Sequence, residues 1–404
     1  MKSQKATRAA VVVAIIACAA IGGYGTMATG FKNGLFESLE KTTGDPLSRH
    51  DLYVPGGPQP FKSSYTGIAA VDGLLAILVA FWGAIIDGDR TWNMDASYWY
   101  LMAQFCASWC LLSLEGLRKG SKGKAVSWTG TMGLIFQTIT YILTVPTYLI
   151  IHLFTSPVAK RGGEPVALAA AAAVDPADTV LLPVCTTLAF IVPAVMMSLP
   201  SPEFLPASSH YIMIAFWNAF PLWQSLLMWA FKLISPSEKG AKSLTTVPSS
   251  VYKFVLTICI VSHLGVLAIA VVPHTIVSDN SPYALALSAI LKQVDFSSAF
   301  IPASLWNPPT VDPNSVDRIP ADWLAPLAIH FFQWDIYSTH VAVVIWAGYL
   351  YSVATSVSSG GLGKMTGRVV FWFLVGGPVA VAACLLWERD AVVAVTARKV
   401  KKAE

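Results

Sequence analysis

The chain has 404 residues, of which 55% are hydrophobic and only 12% charged, with a mean hydropathy of +0.59. Roughly 25% of residues are charged in an ordinary soluble domain, so this chain lacks the charge to cover a water-facing surface. The net charge of +4 is spread out, and no basic stretch interleaved with aromatics marks a nucleic-acid surface.

These proportions predict an all-α polytopic transmembrane helix bundle. One domain covers residues 1–404, with about eight or nine spans of roughly 20 residues each. The first apolar segment is Thr7–Thr29, preceded by Lys2, Lys5 and Arg8. Its run continues past the length of a signal peptide, which favours a retained helix. Residues 30–66 contain Pro46, Pro55, Pro58 and Pro60 and read as an extramembrane loop with little regular structure. Segment two is Gly67–Asp87 and segment three Met94–Leu117. Segment four, Thr131–Phe154, carries Pro146 as an expected kink. Segments five to seven are Thr179–Leu199, His210–Phe231 and Val251–Val272. An acidic connection, residues 273–323, follows, within which Tyr283–Lys292 could form a short amphipathic or re-entrant helix. Segments eight and nine are Ala325–Ser352 and Val369–Trp387, before a basic tail.

The positive-inside rule fits a cytoplasmic N-terminus for most basic loops, yet leaves Arg118–Lys124 and the tail on the wrong side. One segment is therefore miscounted, or a re-entrant segment is hidden in the pattern. No internal repeat supports an inverted-repeat transporter fold.

Ionisable groups inside a bilayer are costly and mark function by default. Asp72 interrupts segment two, Glu115 lies near the end of segment three, and Asp335 sits well inside segment eight in Phe331-Phe332-Gln333-Trp334-Asp335-Ile336-Tyr337. His330 and His340 flank Asp335 in segment eight, His263 lies in segment seven, and His210 opens segment six. By counting crossings, segments two and eight begin where segment three ends. Asp72, Glu115, Asp335, His210, His263 and His330 would then converge in one leaflet. A plainer reading stands beside each: Glu115 as a solvated helix end, Asp72 as a partner of a neighbouring helix, the histidines as ordinary hydrogen-bonded residues. The six cysteines all lie in apolar segments and read as small packing residues. No Walker-type loop, zinc signature, nucleophile elbow or dinucleotide fingerprint occurs, and neither cofactor nor metal is expected.

A carboxyl group in a dry, aromatic-rich cavity resists ionisation and can serve as a general acid. Protonating an alkene or terminal epoxide of an isoprenoid chain requires such an acid, shielding from water, and ring faces that favour a cation. With Asp72, Glu115 and the Phe331–Tyr337 segment on this helix pattern, the chain resembles the fungal integral membrane terpene cyclases of meroterpenoid pathways. Its length is closer to the larger group of ascochlorin, ascofuranone and drimane-type pathways. The extra first helix and the long acidic loop depart from the smaller members and leave open which acid donates the proton.

The resemblance implies a helical bundle that cyclises a prenylated (farnesyl) aromatic or its epoxide by carboxylates, without a metal. Asp335 would be the general acid, and Asp72 or Glu115 would orient it or accept the final proton. Trp334 and Trp217 would stabilise the cation, with His263 or His330 bonded to a carboxylate. The substrate would be a lipid-soluble isoprenoid or meroterpenoid dissolved in the lipid bilayer, with no nucleic acid as partner. The same reading implies the endoplasmic reticulum membrane. The rival is a small-molecule or proton-coupled transporter, which needs polar residues through both halves of the bilayer rather than a closed apolar pocket.

Overall fold

The computed structural model describes residues 2–43, 64–88, 91–160, 163–234, 247–271, 294–315, 321–355 and 359–403. The described residues are helical and form one bundle around a continuous apolar core. The part of the 30–66 loop beyond residue 43 is described only from residue 64, and the expected helix at Tyr283–Lys292 lies outside the described residues.

Helix α1 (Lys2–Gly23) continues through a π turn at Tyr24–Ala28 into Thr29–Lys32. α2 (Leu35–Thr43) follows at once, so the first part of the predicted loop is helical. Its apolar Leu35, Phe36 and Leu39 pack onto the bundle, and that burial overrides the weak local signal. α3 (Ala69–Gly83, extended by a π turn to Gly88) leads to α4 (Trp92–Leu117). α4 is the central post: every residue from 104 to 116 is buried. It tolerates Gln104, Ser108, Ser113 and Glu115 because each finds a partner on a surrounding helix.

Segment four does not cross the bundle. It divides into α5 (Thr129–Thr138) and α6 (Tyr141–Thr155). Thr140 is extended (φ −178°, ψ 159°) and its hydroxyl accepts from the Leu143 amide at 3.3 Å, which starts a new helix. Lys124, before α5, donates to the Thr155 carbonyl at 2.9 Å. A straight helix would separate these residues by roughly 45 Å, so α5 and α6 form a re-entrant hairpin. The reversal is at Ile139-Thr140, within a β-branched run that disfavours helix, and not at Pro146, which lies inside α6.

α7 (Pro165–Ala172) caps the same end of the bundle, and α8 (Pro176–Thr186) continues through Thr187–Ile191 to Val192–Met197. Segment six breaks into α9 (Ala207–Asn218) and α10 (Phe220–Ile234). Pro221 supplies no amide hydrogen there, and it starts a helix better than it continues one. α11 (Ser249–Val271), a short α12 (Phe296–Phe300) and the long α13 (Ala321–Thr355) complete the ring around α4.

The last helix, α14 (Ser359–Ala403), also reverses. Gly377 has φ 75° and ψ −171°, a conformation reserved for glycine. Arg368 and Glu388 meet at 2.5 Å across the turn, where a straight helix would hold them about 30 Å apart. Gln104 of α4 clasps this tip, donating to the Gly376 carbonyl (3.0 Å) and accepting from the Val379 amide (3.2 Å).

Six helices among the described residues are long and apolar enough to cross a membrane, the last of them being the folded-back α14. That count is lower than the predicted eight or nine. α4 is long but too polar, and segments four and six are each divided. One fewer crossing before segment five inverts every later parity. The basic N-terminus (Arg8 sits 4.7 Å over the Phe154 ring), the Arg118–Lys124 loop, Lys232, Arg368 and the tail now share one end of the bundle. The acidic end carries Glu37, Asp295 and Asp312. The conflict in the charge pattern thus disappears.

Candidate active site

Asp335 lies midway along α13 and is buried. Its Oδ1 accepts the Ile142 amide at 2.8 Å and its Oδ2 the Tyr141 amide at 3.3 Å. The first amides of a helix have no partner within it, and the helix dipole favours negative charge there. In a bilayer no water can supply the missing acceptors. The re-entrant hairpin therefore carries a helix N-terminus to a buried carboxyl that receives it.

The same carboxyl lines a cavity of about 190 Å³. Its walls are Phe36, Phe81, Trp82, Phe105, Phe136, Tyr141, Phe331 and Phe332, filled in by Leu74, Ile77 and Leu78. Trp82 meets Phe332 edge-to-face at 5.0 Å, and Phe81 meets Phe331 at 5.5 Å. Such contacts hold ring faces and edges in fixed orientations. Ile77 and Ile139 line the cavity yet are 42% and 52% exposed, so it opens sideways on the outer surface of the bundle. Gln137, at the hairpin tip, lines the cavity too, and its buried Nε2 has no hydrogen-bond partner among the described residues.

The other predicted site residues lie elsewhere. Asp72 folds back on its own approach loop, accepting from Ser64, the Tyr65, Thr66 and Gly67 amides and the Thr66 hydroxyl. Glu115 is no solvated helix end. It is fully buried, 2.7 Å from Arg118 and 2.6 Å from Arg389. Arg118 reaches Asp390 at 2.8 Å, Tyr252 donates to the same carboxylate, and His152 stands 3.4 Å from Glu115. This ion network binds α4 to α11 and to the second arms of both hairpins. It lies about 16 Å from Asp335, measured as the eleven residues of α6 from Tyr141 to His152. The predicted gathering of three acids and three histidines in one leaflet is thus corrected: segment eight begins where segment three begins, because segment four turns back.

Trp217 is fully buried and stacks edge-on to Trp82 at 4.9 Å, directly behind the cavity wall. Trp334 points away, donating to the Ala303 carbonyl at 2.9 Å. His330 bonds the Ser304 carbonyl (3.3 Å), and His263 packs against Tyr100 and Phe300. Among the described residues neither touches a carboxylate. The histidine that does so at the acidic end is His210, 2.8 Å from Asp87.

The CtvD domain family matches residues 10–394. The chain belongs to the CtvD domain family. Among its relatives, terpene cyclase ascI of Acremonium egyptiacum is 26% identical over 341 residues, covering 83% of this chain and 81% of that protein. Terpene cyclase ctvD of Aspergillus terreus is 20% identical over 365 residues (89% and 93%). Terpene cyclase verU1 of Penicillium polonicum is 22% identical over 375 residues (92% and 91%). No solved structure matches the chain. These similarities support a terpene cyclase role.

In this CtvD-domain chain the sequence reading missed the groups that surround Asp335. Tyr141 and Gln137 look like ordinary residues of an apolar span, and only the hairpin reversal brings them to the carboxyl. Ser108 and His340 lie one layer further in: Ser108 Oγ is 2.8 Å from the Tyr141 hydroxyl and 3.1 Å from His340 Nε2. A larger groove of about 940 Å³ lies at the acidic end, between the start of α4, residues 297–303 and Gln333. Among the described residues its lining contains no ionisable side chain.

Proposed function

We propose that this protein is a membrane-bound terpene cyclase in which Asp335 protonates a terminal epoxide or alkene of a prenylated (farnesyl) aromatic and starts a carbocation cyclisation. One observation carries the reading: of the three intramembrane acids singled out, Asp335 alone opens onto an aromatic-walled cavity whose mouth lies on the apolar outer surface of the bundle.

The geometry suits the chemistry step by step. The substrate is already dissolved in the bilayer, and the terminal isoprene unit enters sideways past Ile77 and Ile139. The cavity holds that end of the chain, while the aromatic head stays at the opening. Oδ2, the more loosely held carboxyl oxygen, carries the proton. As it leaves, the carboxylate that remains is received by the Tyr141 and Ile142 amides, which already point at it. Donors aimed in advance at developing charge lower the barrier without reorganisation. The cation forms among the faces of Phe81, Trp82, Phe331 and Phe332, where rings stabilise positive charge and water is excluded. A transporter would need a polar path to both surfaces, whereas the polar side chains of this cavity's lining are confined to Asp335 and the hairpin residues Gln137, Thr138, Thr140 and Tyr141, and the rest of the wall is apolar. An endoplasmic reticulum location belongs to the same reading.

The test is expression in a host without related pathways, fed with a farnesylated phenol and its terminal epoxide, with products analysed by mass spectrometry and NMR. The expected result is a cyclic isomer of unchanged mass that disappears with Asp335→Asn. Size-exclusion profiles in detergent control for folding, because Asp335 also holds the hairpin tip. Full activity in a folded Asp335→Asn protein would refute the assignment.

A further inference from the structure

An isomerising cyclase takes one proton from the protein and must return one. Asp72 and Glu115, expected to accept it, are engaged in their own contacts away from the cavity. Asp335 itself stays beside the epoxide oxygen or alkene carbon it protonated, whereas each ring closure moves the cationic centre along the chain. A different acceptor is required further along the wall.

Resting on the cyclase reading above, we infer that Tyr141, Ser108 and His340 form the proton-return path that ends the reaction. Tyr141 belongs to the cavity wall. Its backbone amide touches Asp335 while its hydroxyl lies a full side-chain length away, so one residue spans the start and the end of the proton's journey. From the hydroxyl a continuous buried chain runs inward: 2.8 Å to Ser108 Oγ, then 3.1 Å to His340 Nε2. All three side chains are buried. Among the described residues His340 Nδ1 has no hydrogen-bond partner, and the imidazole's hydrogen bond is the one to Ser108. The single Ser108 proton has two acceptors within reach, the Phe105 carbonyl at 2.9 Å and, with the imidazole in its Nδ1–H tautomer, His340 Nε2 at 3.1 Å, and a turn of the hydroxyl exchanges one for the other.

The step balances. The C–H bond next to the cationic carbon breaks, and its electron pair becomes the new C=C bond of the product. The proton passes to the Tyr141 hydroxyl oxygen, the tyrosine's own proton to Ser108 Oγ, and the serine's proton to the lone pair on His340 Nε2. The site then holds an Asp335 carboxylate and a His340 imidazolium, with its net charge unchanged. When the product has left, the proton returns through the emptied cavity to Asp335. Every turnover leaves the protein as it began.

Tyr141→Phe and Ser108→Ala test this in the full chain, in membranes, with the farnesylated phenol and its epoxide as substrates. Ser108→Ala cuts the path without altering the cavity wall. In both variants the ratio of the normal alkene to water-captured alcohols or alkene isomers is expected to fall by about tenfold or more, since a positioned acid–base group contributes roughly 10²–10⁴-fold. A purely structural role would lower yield without changing that ratio. The wild-type ratio and rate in both variants would overturn the path while leaving Asp335 as the acid. Complete loss of substrate consumption in folded Tyr141→Phe would also overturn it, because Tyr141 would then act before the cation forms. Cyclisation by folded Asp335→Asn would instead remove Asp335 as the acid, and a folded wild type that forms no cyclic isomer would remove the cyclase reading itself.

Discussion

The buried network of Glu115, Arg118, Arg389 and Asp390 offers a sharp energetic test of how the two hairpins are held. It contains two cations and two anions, linked at 2.6–2.8 Å and almost completely buried. Arg389→Met removes one cation and leaves Glu115 and Asp390 facing Arg118 alone. Breaking a buried ion pair from one side costs about 3–5 kcal/mol, because a charge is left uncompensated. Glu115→Gln should cost a similar amount for the opposite reason. The double variant restores neutrality, with Arg118 still paired to Asp390 and Tyr252. Its loss should therefore fall short of the sum by about 2–3 kcal/mol, at the upper end of couplings between contacting residues. Thermal and denaturant unfolding in detergent, followed by size exclusion, measures all three. A loss below about 1 kcal/mol for Arg389→Met, as for exposed pairs, would refute the reasoning. So would strict additivity.

Two other outcomes follow from the hairpins. Gly377→Ala forces a side chain into a positive-φ turn and brings its Cβ within 2.9 Å of the Tyr100 hydroxyl and 3.2 Å of Gln104; unfolding should show a loss of about 2–3 kcal/mol, and an unchanged midpoint would mean that the tip is not built this way. The shared basic end predicts a cytoplasmic location for both termini under the positive-inside rule. A glycosylation acceptor engineered near Thr310 should then be modified in microsomes and one appended after Glu404 should not, while the reverse pattern would invert the topology.

Composition was enough to read a helical membrane protein, because 12% charge cannot cover a soluble surface. Asp335 was legible for the same reason: a lone acid in Phe331–Tyr337 has no cheap explanation in a bilayer. Glu115 was misread because its partners Arg389 and Asp390 lie more than 270 residues away, and no local pattern announces them. Trp334 was misplaced by its neighbour: consecutive helical residues point in different directions, and Trp334 faces residue 303 rather than the cavity.

The crossing count shows the division most plainly. Hydropathy measures how greasy a stretch is, and the hairpin of α5 and α6 is as greasy as a span. Whether such a stretch crosses or turns back depends on what receives the freed amides at its tip. Asp335 of α13 receives them at one hairpin and Gln104 of α4 at the other. The sequence by itself determined that the chain lives in a membrane and that it carries an acid there. Only the tertiary structure decided which segments reverse, which side the charges share, and that the acid stands in an aromatic cavity at a helix N-terminus, because each depends on contacts between residues far apart in the chain.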